Sequence, residues 1–338
     1  MAAALEETPV SYEDLADIER EFDDVETEII RQQVQLTTPL YERRSKTVSQ
    51  IPNFWPLVLE QAPSDIDQYI QPSDSALLLS SLTSLSVSHF EIQTEKPDKC
   101  ISRDPRSVSI RFEFAENEYF ENKVLEKKFW YRRSKDGWSG LVSEPVPIKW
   151  KKDRDLTGGL LDMVVKAWEV ARSSPPALTK TNKGELTPEQ KALKKKIENT
   201  GMGGLSFFAW FGFIGRHVSA EESAQATALE REKRSKRGRS HTSDSSEEEE
   251  DDEEDDDLGM SLEIFPDGDD LAVAFTDDLW PGAIKYFTQA QEQDALSDAD
   301  FESDDDDDDD EADEPAFNSG AETEEENGGR PTKKRRSE

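Results

Sequence analysis

The chain is 338 residues long and carries 76 Asp and Glu against 41 Lys and Arg, a net charge of −35. Residues 1–240 hold 35 basic and 38 acidic side chains, a net of −3, whereas residues 241–338 hold 6 and 38, a net of −32. A polyanionic appendage on a nearly neutral body excludes DNA and anionic membrane as direct ligands and cannot bury a core of its own, and the single cysteine, Cys100, excludes an internal disulfide framework.

Residues 1–10 are expected to be disordered; they lack the basic start and apolar stretch of a signal peptide. No window approaches the apolar run of about 18 residues that a membrane-spanning helix needs. Residues 11–50 are predicted as one long helix. Leu15, Ile18, Phe22, Val25 and Ile29 step by three and four, and the seam continues through Leu36 and Leu40. Ser11 is the expected N-cap, Glu13 and Asp14 suit the first turn, and Pro39 marks an expected kink. Its helical core, 11–48, is roughly 57 Å long at about 1.5 Å per residue. A one-sided seam flanked by Glu, Asp and Gln is what a two-stranded coiled coil presents, so its simplest partner is a second copy, parallel or antiparallel.

Residues 51–215 read as a folded α+β domain. IPNFW (51–55) opens a short apolar helix with Phe54 and Trp55 buried, and a Ser- and Leu-rich stretch at 72–84 suggests another. Then the period changes. Val108, Ile110, Phe112 and Phe114 alternate with Ser107, Ser109, Arg111 and Glu113, the two-residue repeat of a half-buried strand. A second strand is predicted near 123–133, where Leu125, Phe129 and Tyr131 share a face with Lys127. Leu85–Thr94 and Val146–Trp150 are expected to add strands on either side, giving an antiparallel meander with helices segregated from it.

GLLDMVVKAWEVAR (159–172) is predicted helical, and 173–203 is expected to be a mobile, Lys-rich stretch. SFFAWFGFI (206–214) is dense enough in aromatics to be core or a contact surface. Residues 216–261 run from the basic Arg231, Lys233, Arg234, Lys236, Arg237 and Arg239 straight into acids, and are expected to be a disordered insertion. Order is expected again over 262–293, with Trp280, Ile284 and Phe287 striping a helix behind caps Asp277 and Asp278. Residues 294–338 are the tail.

The acidic runs carry the strongest chemical signal. Residues 247–257 are eleven consecutive carboxylates, and 304–311, beginning Asp304, Asp305, Asp306, are eight more. No cations within the blocks neutralise them, so a solvated solubility tail competes only with a site for basic proteins such as histones. Each exposed pair contributes only about 0–1 kcal/mol, so affinity comes from number and falls with salt. Lys333, Lys334, Arg335 and Arg336 form a terminal basic cluster of the kind import receptors read; Arg231–Arg239 is a second. These clusters favour a nuclear location with cytoplasmic shuttling. Ser245, Ser246 and Ser297 have acids at the third following position, a weak kinase pattern.

Catalysis gets little support. His89, His217 and His241 are widely spaced with no partners at metal-ligand spacing. GMGG (201–204) lacks the strand, Lys and Ser/Thr of a phosphate loop. No metal, cofactor or enzymatic role is expected.

The long first helix ending in PLYERRSKTVSQIPNFW, the strand pair RFEFAENEYFENKVLEKKFW, IKWKKDRDLT, SFFAWF and DDLWPGAIKYF, followed by an acidic tail, together resemble the nucleosome assembly protein family. Within it they look most like the SET/template-activating-factor branch. The likeness covers 12–157, 205–214 and 275–290, and IPNFW and YFENKVL are its specific motifs. The stretches 158–203 and 217–274 are longer than the compact SET pattern.

The resemblance implies an α+β fold: a long N-terminal dimerisation helix, an α/β "earmuff" domain with an antiparallel meander, and an acidic disordered tail, assembled as a headphone-shaped homodimer. It implies a non-enzymatic chaperone that binds core histones and delivers or removes them in nucleosome assembly. By the same likeness, Glu116, Glu118 and Glu121 around the strand turn, Asp277 and Asp278, and the tail acids are the histone-binding positions. The alternative it implies is a regulator of a chromatin-linked enzyme, because relatives inhibit a protein phosphatase or support a histone acetyltransferase. A generic escort for basic ribosomal proteins is a third reading.

Overall fold

The computed structural model describes residues 12–93, 104–173, 186–200, 204–237 and 261–303. Its first compact unit is Met1–Gln293; the second, Asp294–Glu338, is described only over its first residues, which continue a helix to Ser303.

Helix α1 spans Tyr12–Val48 and runs unbroken through Pro39. The Thr37 and Thr38 hydroxyls donate to the Gln33 and Val34 carbonyls at 2.8 and 2.6 Å just before the proline. The helix is two-faced. Arg20, Asp23, Val34, Tyr41, Arg44 and Val48 form the less exposed side, which meets the rest of the chain, while the apolar seam stays open: Phe22 is 66% exposed and Leu36 73%. Ser11 lies outside the described residues.

Three short helices follow, α2 (Phe54–Glu60), α3 (Ser64–Asp67) and α4 (Pro72–Ser81). Phe54 and Trp55 are buried, as expected. The Trp55 ring stacks on Trp280 at 5.6 Å, and the Arg44 guanidinium lies 4.1 Å from the centre of that same Trp280 ring, fastening α1 to the domain. Burial lowers Arg44 to about 10.

The sheet is an antiparallel meander, β1 (Leu82–Ser88), β2 (Val108–Phe114), β3 (Val124–Arg133) and β4 (Ser139–Ser143). Phe112 pairs with Leu125 and Ile110 with Lys127, so the alternating apolar residues of both strands face one core. Two edges differ from expectation. The first strand begins at Leu82 and ends at Ser88, and residues Phe90–Gln93 turn into a short helix, α5, in place of the strand expected to Thr94. The other edge is Ser139–Ser143, not Val146–Trp150, whose only ladder contact is an isolated bridge from Trp150 to Phe120. Pro145 and Pro147 supply no N–H to a ladder, which is the physical reason.

Helices α6 (Leu160–Ser173) and α7 (Pro188–Asn199) pack together. The expectation of a mobile Lys-rich stretch therefore fails over 188–199. Thr187 and Gln190 cap α7 reciprocally, Leu193 is buried, and the lysines occupy its outer side. The expected disordered insertion fails in its first half as well: Ala220–Arg237 is a helix, α8, packed on β3. Ser219 Oγ accepts from the Glu222 N–H at 3.1 Å, Ser223 Oγ from the Arg133 N–H at 3.0 Å, and Glu230 pairs with Arg20 of α1 at 2.8 Å.

The aromatic segment is core. Phe207–Gly212 forms a 3-10 turn in which Phe207, Phe208, Trp210 and Phe211 are almost wholly enclosed. Two buried charges hold it. Asp74 accepts from Ser206 Oγ at 2.6 Å and from the Phe207 N–H at 2.7 Å. Lys127 donates to the carbonyls of Glu144, Phe211 and Phe213 at 2.8, 3.1 and 2.6 Å. Burial pushes Lys127 down to about 7, against the pull of Glu263 and Glu144. The last elements are α9 (Gly268–Ala274), a π-turn (Phe275–Leu279) and α10 (Trp280–Ser303), which runs past the ordered stretch expected over 262–293.

Candidate functional site

The expected site residues fall into separate settings. The seam residues Leu15, Ile18, Phe22, Val25, Ile29, Leu36 and Leu40 are all exposed along one face of α1. Asp304, Asp305, Asp306 and the cluster Lys333, Lys334, Arg335, Arg336 lie outside the described residues, as does the run 247–257.

Glu116, Glu118 and Glu121 are exposed on the β2–β3 connection. Asn117 shapes that turn, its side-chain oxygen accepting from the Tyr119 and Phe120 N–H groups at 2.9 and 3.0 Å. The turn is tied to the basic segment 149–154. Glu121 N–H donates to the Lys149 carbonyl at 2.9 Å, Lys151 Nζ to the Asn117 carbonyl at 2.5 Å, and Arg154 pairs with Glu118 at 3.3 Å. Lys123, Lys149, Lys152 and Arg154 are exposed alongside. Three carboxylates among four exposed cations do not make a surface of one sign.

Asp277 and Asp278 were expected to cap a helix. Instead they sit inside a continuous one, in the π-turn between α9 and α10. The wider turn lets Phe275, Leu279 and Trp280 all point into the core while both aspartates remain outside. Asp278 accepts from the Tyr286 hydroxyl at 2.7 Å; burial and this bond push Tyr286 up to about 12. Burial also raises Asp277, opposed by His89. His89 is itself lowered by burial and donates from Nδ1 to the Pro105 carbonyl at 2.6 Å, so it is a packed residue.

A second acidic surface was not anticipated. Tyr69 donates to Asp267 at 3.0 Å, and burial, that bond and the charges of Asp267, Asp270 and Asp65 push its hydroxyl up to about 12. Asp269 is raised by burial first, with Asp270 and Asp267 adding to it. These acids come from α3 and the start of α9, far apart in the chain. A sequence signal was available: residues 47–95 and 240–284 contain no Lys or Arg. The stretches meet where α3 packs on α9. Among the described residues, no group of His, Cys, Asp and Glu is arranged to hold a metal ion.

The domain thus joins a long two-faced helix to an α+β body with an acidic face contributed by segments free of Lys and Arg. The sequence pattern of the nucleosome assembly protein family matches residues 10–290, and the chain belongs to that family. A putative nucleosome assembly protein of Schizosaccharomyces pombe is 35% identical over 161 residues, 44% of this chain and 61% of that one. Vacuolar protein sorting-associated protein 75 of Saccharomyces cerevisiae is 26% identical over 291 residues, 86% of this chain and 81% of its own length. Protein SET of Drosophila melanogaster is 35% identical over 130 residues, 38% of this chain and 43% of that one, placing the chain in the SET-like branch. A crystal structure of the Vps75 histone chaperone, 24% identical, aligns with a TM-score of 0.46 over 82% of this chain and 97% of that one.

Proposed function

We propose that this chain is a histone chaperone that binds core histones and hands them on or takes them up in nucleosome assembly, by binding and not by catalysis. The observation that carries this reading is the acidic face around Asp65, Asp267 and Asp270, built from two stretches free of Lys and Arg in a member of the nucleosome assembly protein family. Cationic histone surfaces complement it, and the acidic tail adds many weak, salt-sensitive contacts. A second copy covers the α1 seam, and the terminal cluster Lys333–Arg336 directs the protein to the nucleus.

The test is a titration of labelled core histone pairs, at physiological salt, with the full chain and with a chain ending after Ser303. Saturable, pair-selective binding by both is expected; loss of all binding in the shortened chain would reduce the protein to a polyanionic escort. The dimer has its own test. Changing Ile18, Phe22, Val25 and Ile29 to Glu is expected to give monomers by light scattering, and an intact dimer would remove the seam from the interface.

A further inference from the structure

A groove of about 340 Å³ opens between α2, α3 and α4. Pro56, Leu59, Ile70 and Leu79 give it apolar walls, and Glu60 and Asp67 stand at its edge. Leu79 is 40% exposed, although Leu77 and Leu78 beside it on α4 are buried. The shape follows from the sequence: Pro63 and Pro72 fix the starts of α3 and α4, and α3 is a single turn too short to roof the gap. Glu60 and Asp67 are exposed, and neither forms an ion pair among the described residues. Asp67 shares its one-turn helix with Asp65, which belongs to the acidic face at Tyr69, so apolar groove and acidic face are contiguous.

We propose that this groove takes one apolar anchor, a side chain the size of Leu, Ile or Val, from a basic polypeptide segment whose flanking Lys and Arg meet Glu60, Asp67 and Asp65. The assignment deepens the histone-chaperone reading and rests on it. Charge complementarity selects the occupant: a slot with apolar walls whose two charged lining residues, Glu60 and Asp67, are both carboxylates disfavours an acidic segment, while a purely cationic one leaves the apolar walls wet. The two parts also divide the work. Exposed ion pairs supply salt-sensitive attraction with little sequence preference, and the anchor supplies a contribution that salt does not screen.

Two labelled synthetic twelve-residue peptides of Lys, Arg and Gly, one with a central Leu and its twin with Ala there, are titrated by anisotropy against the full chain. The Leu peptide is expected to bind about tenfold more tightly, with the ratio unchanged as salt rises while both affinities fall. Two variants test the place. Leu79→Asn trims an already exposed side chain, and Ser75→Trp fills the groove from α4; each is expected to bring the ratio close to one and to leave the Ala peptide's affinity unchanged. Thermal melting checks that both remain folded. Equal binding of the two peptides by the unaltered protein overturns the assignment, as does a ratio that survives Ser75→Trp. A changed sedimentation coefficient in either variant would also overturn it, because the groove would then be a contact between copies. The histone titration, run in parallel, separates the two claims: histone binding without a Leu preference sinks the groove alone, and no histone binding sinks the chaperone reading whatever the peptides do.

Discussion

The β2–β3 turn and the α3–α9 face both expose three or more carboxylates, yet they are electrically different. At the turn, Glu118 is paired with Arg154, and Lys123, Lys149 and Lys152 stand nearby. At the face, Asp65, Asp267 and Asp270 crowd one tyrosine hydroxyl with no cation in either contributing stretch. The acids' own number is the same; what differs is their company. A histone-binding surface is better sought where cations are missing from the chain than where acids are abundant.

That contrast can be broken most directly by charge reversal. Changing Asp65, Asp267 and Asp270 to Lys is expected to weaken binding of core histones at physiological salt by at least about tenfold, while the same change at Glu116, Glu118 and Glu121 costs less than about threefold. Equal losses would erase the distinction. A smaller effect runs the other way. Converting Lys149, Lys152 and Arg154 to Glu makes the turn resemble the face, and histone affinity is expected to rise by about threefold, with a steeper dependence on salt. Smallest is a stability effect. The folded state holds the Asp269 proton more tightly than the unfolded chain does, so ionisation costs stability as pH climbs through and above the ordinary Asp range. Asp269→Asn is therefore expected to raise Tm by about 1–2 °C at pH 7, and the gain should vanish below about pH 4.

Much of this molecule was legible in its sequence, for reasons that differ by element. The α1 seam and the β2 and β3 faces are periodic, and period survives without tertiary information. Strand β4 did not announce itself because SGLVS is five residues with no alternation, whereas VPIKW looked more strand-like until its prolines are weighed against the ladder's need for N–H donors. Helix α8 was hidden by its own charges. The Ser219-to-Glu222 cap was readable, but the following Arg and Lys suggested a solvated run, and the packing of the helix on β3 and its Glu230–Arg20 pair to α1 are tertiary contacts that local sequence does not show. The acidic face stayed hidden for a different reason. Its aspartates come from near residue 65, a pair, and near residue 270, a group of three, and neither group stands out in a sequence that also carries the runs at 247–257 and 304–311.

Lys127 has a consequence outside binding. When protonated, its ammonium carries three hydrogens and finds three carbonyls, on Glu144, Phe211 and Phe213, so every proton is then engaged at once inside the sheet's core. An amine-reactive reagent meets exposed lysines such as Lys149 and Lys152 freely but reaches this one only when the sheet parts from the aromatic turn. The slow labelling of Lys127, followed by mass spectrometry, is thus a built-in clock for how often the domain opens, and a bound histone that steadies the domain would be seen as that clock running slow.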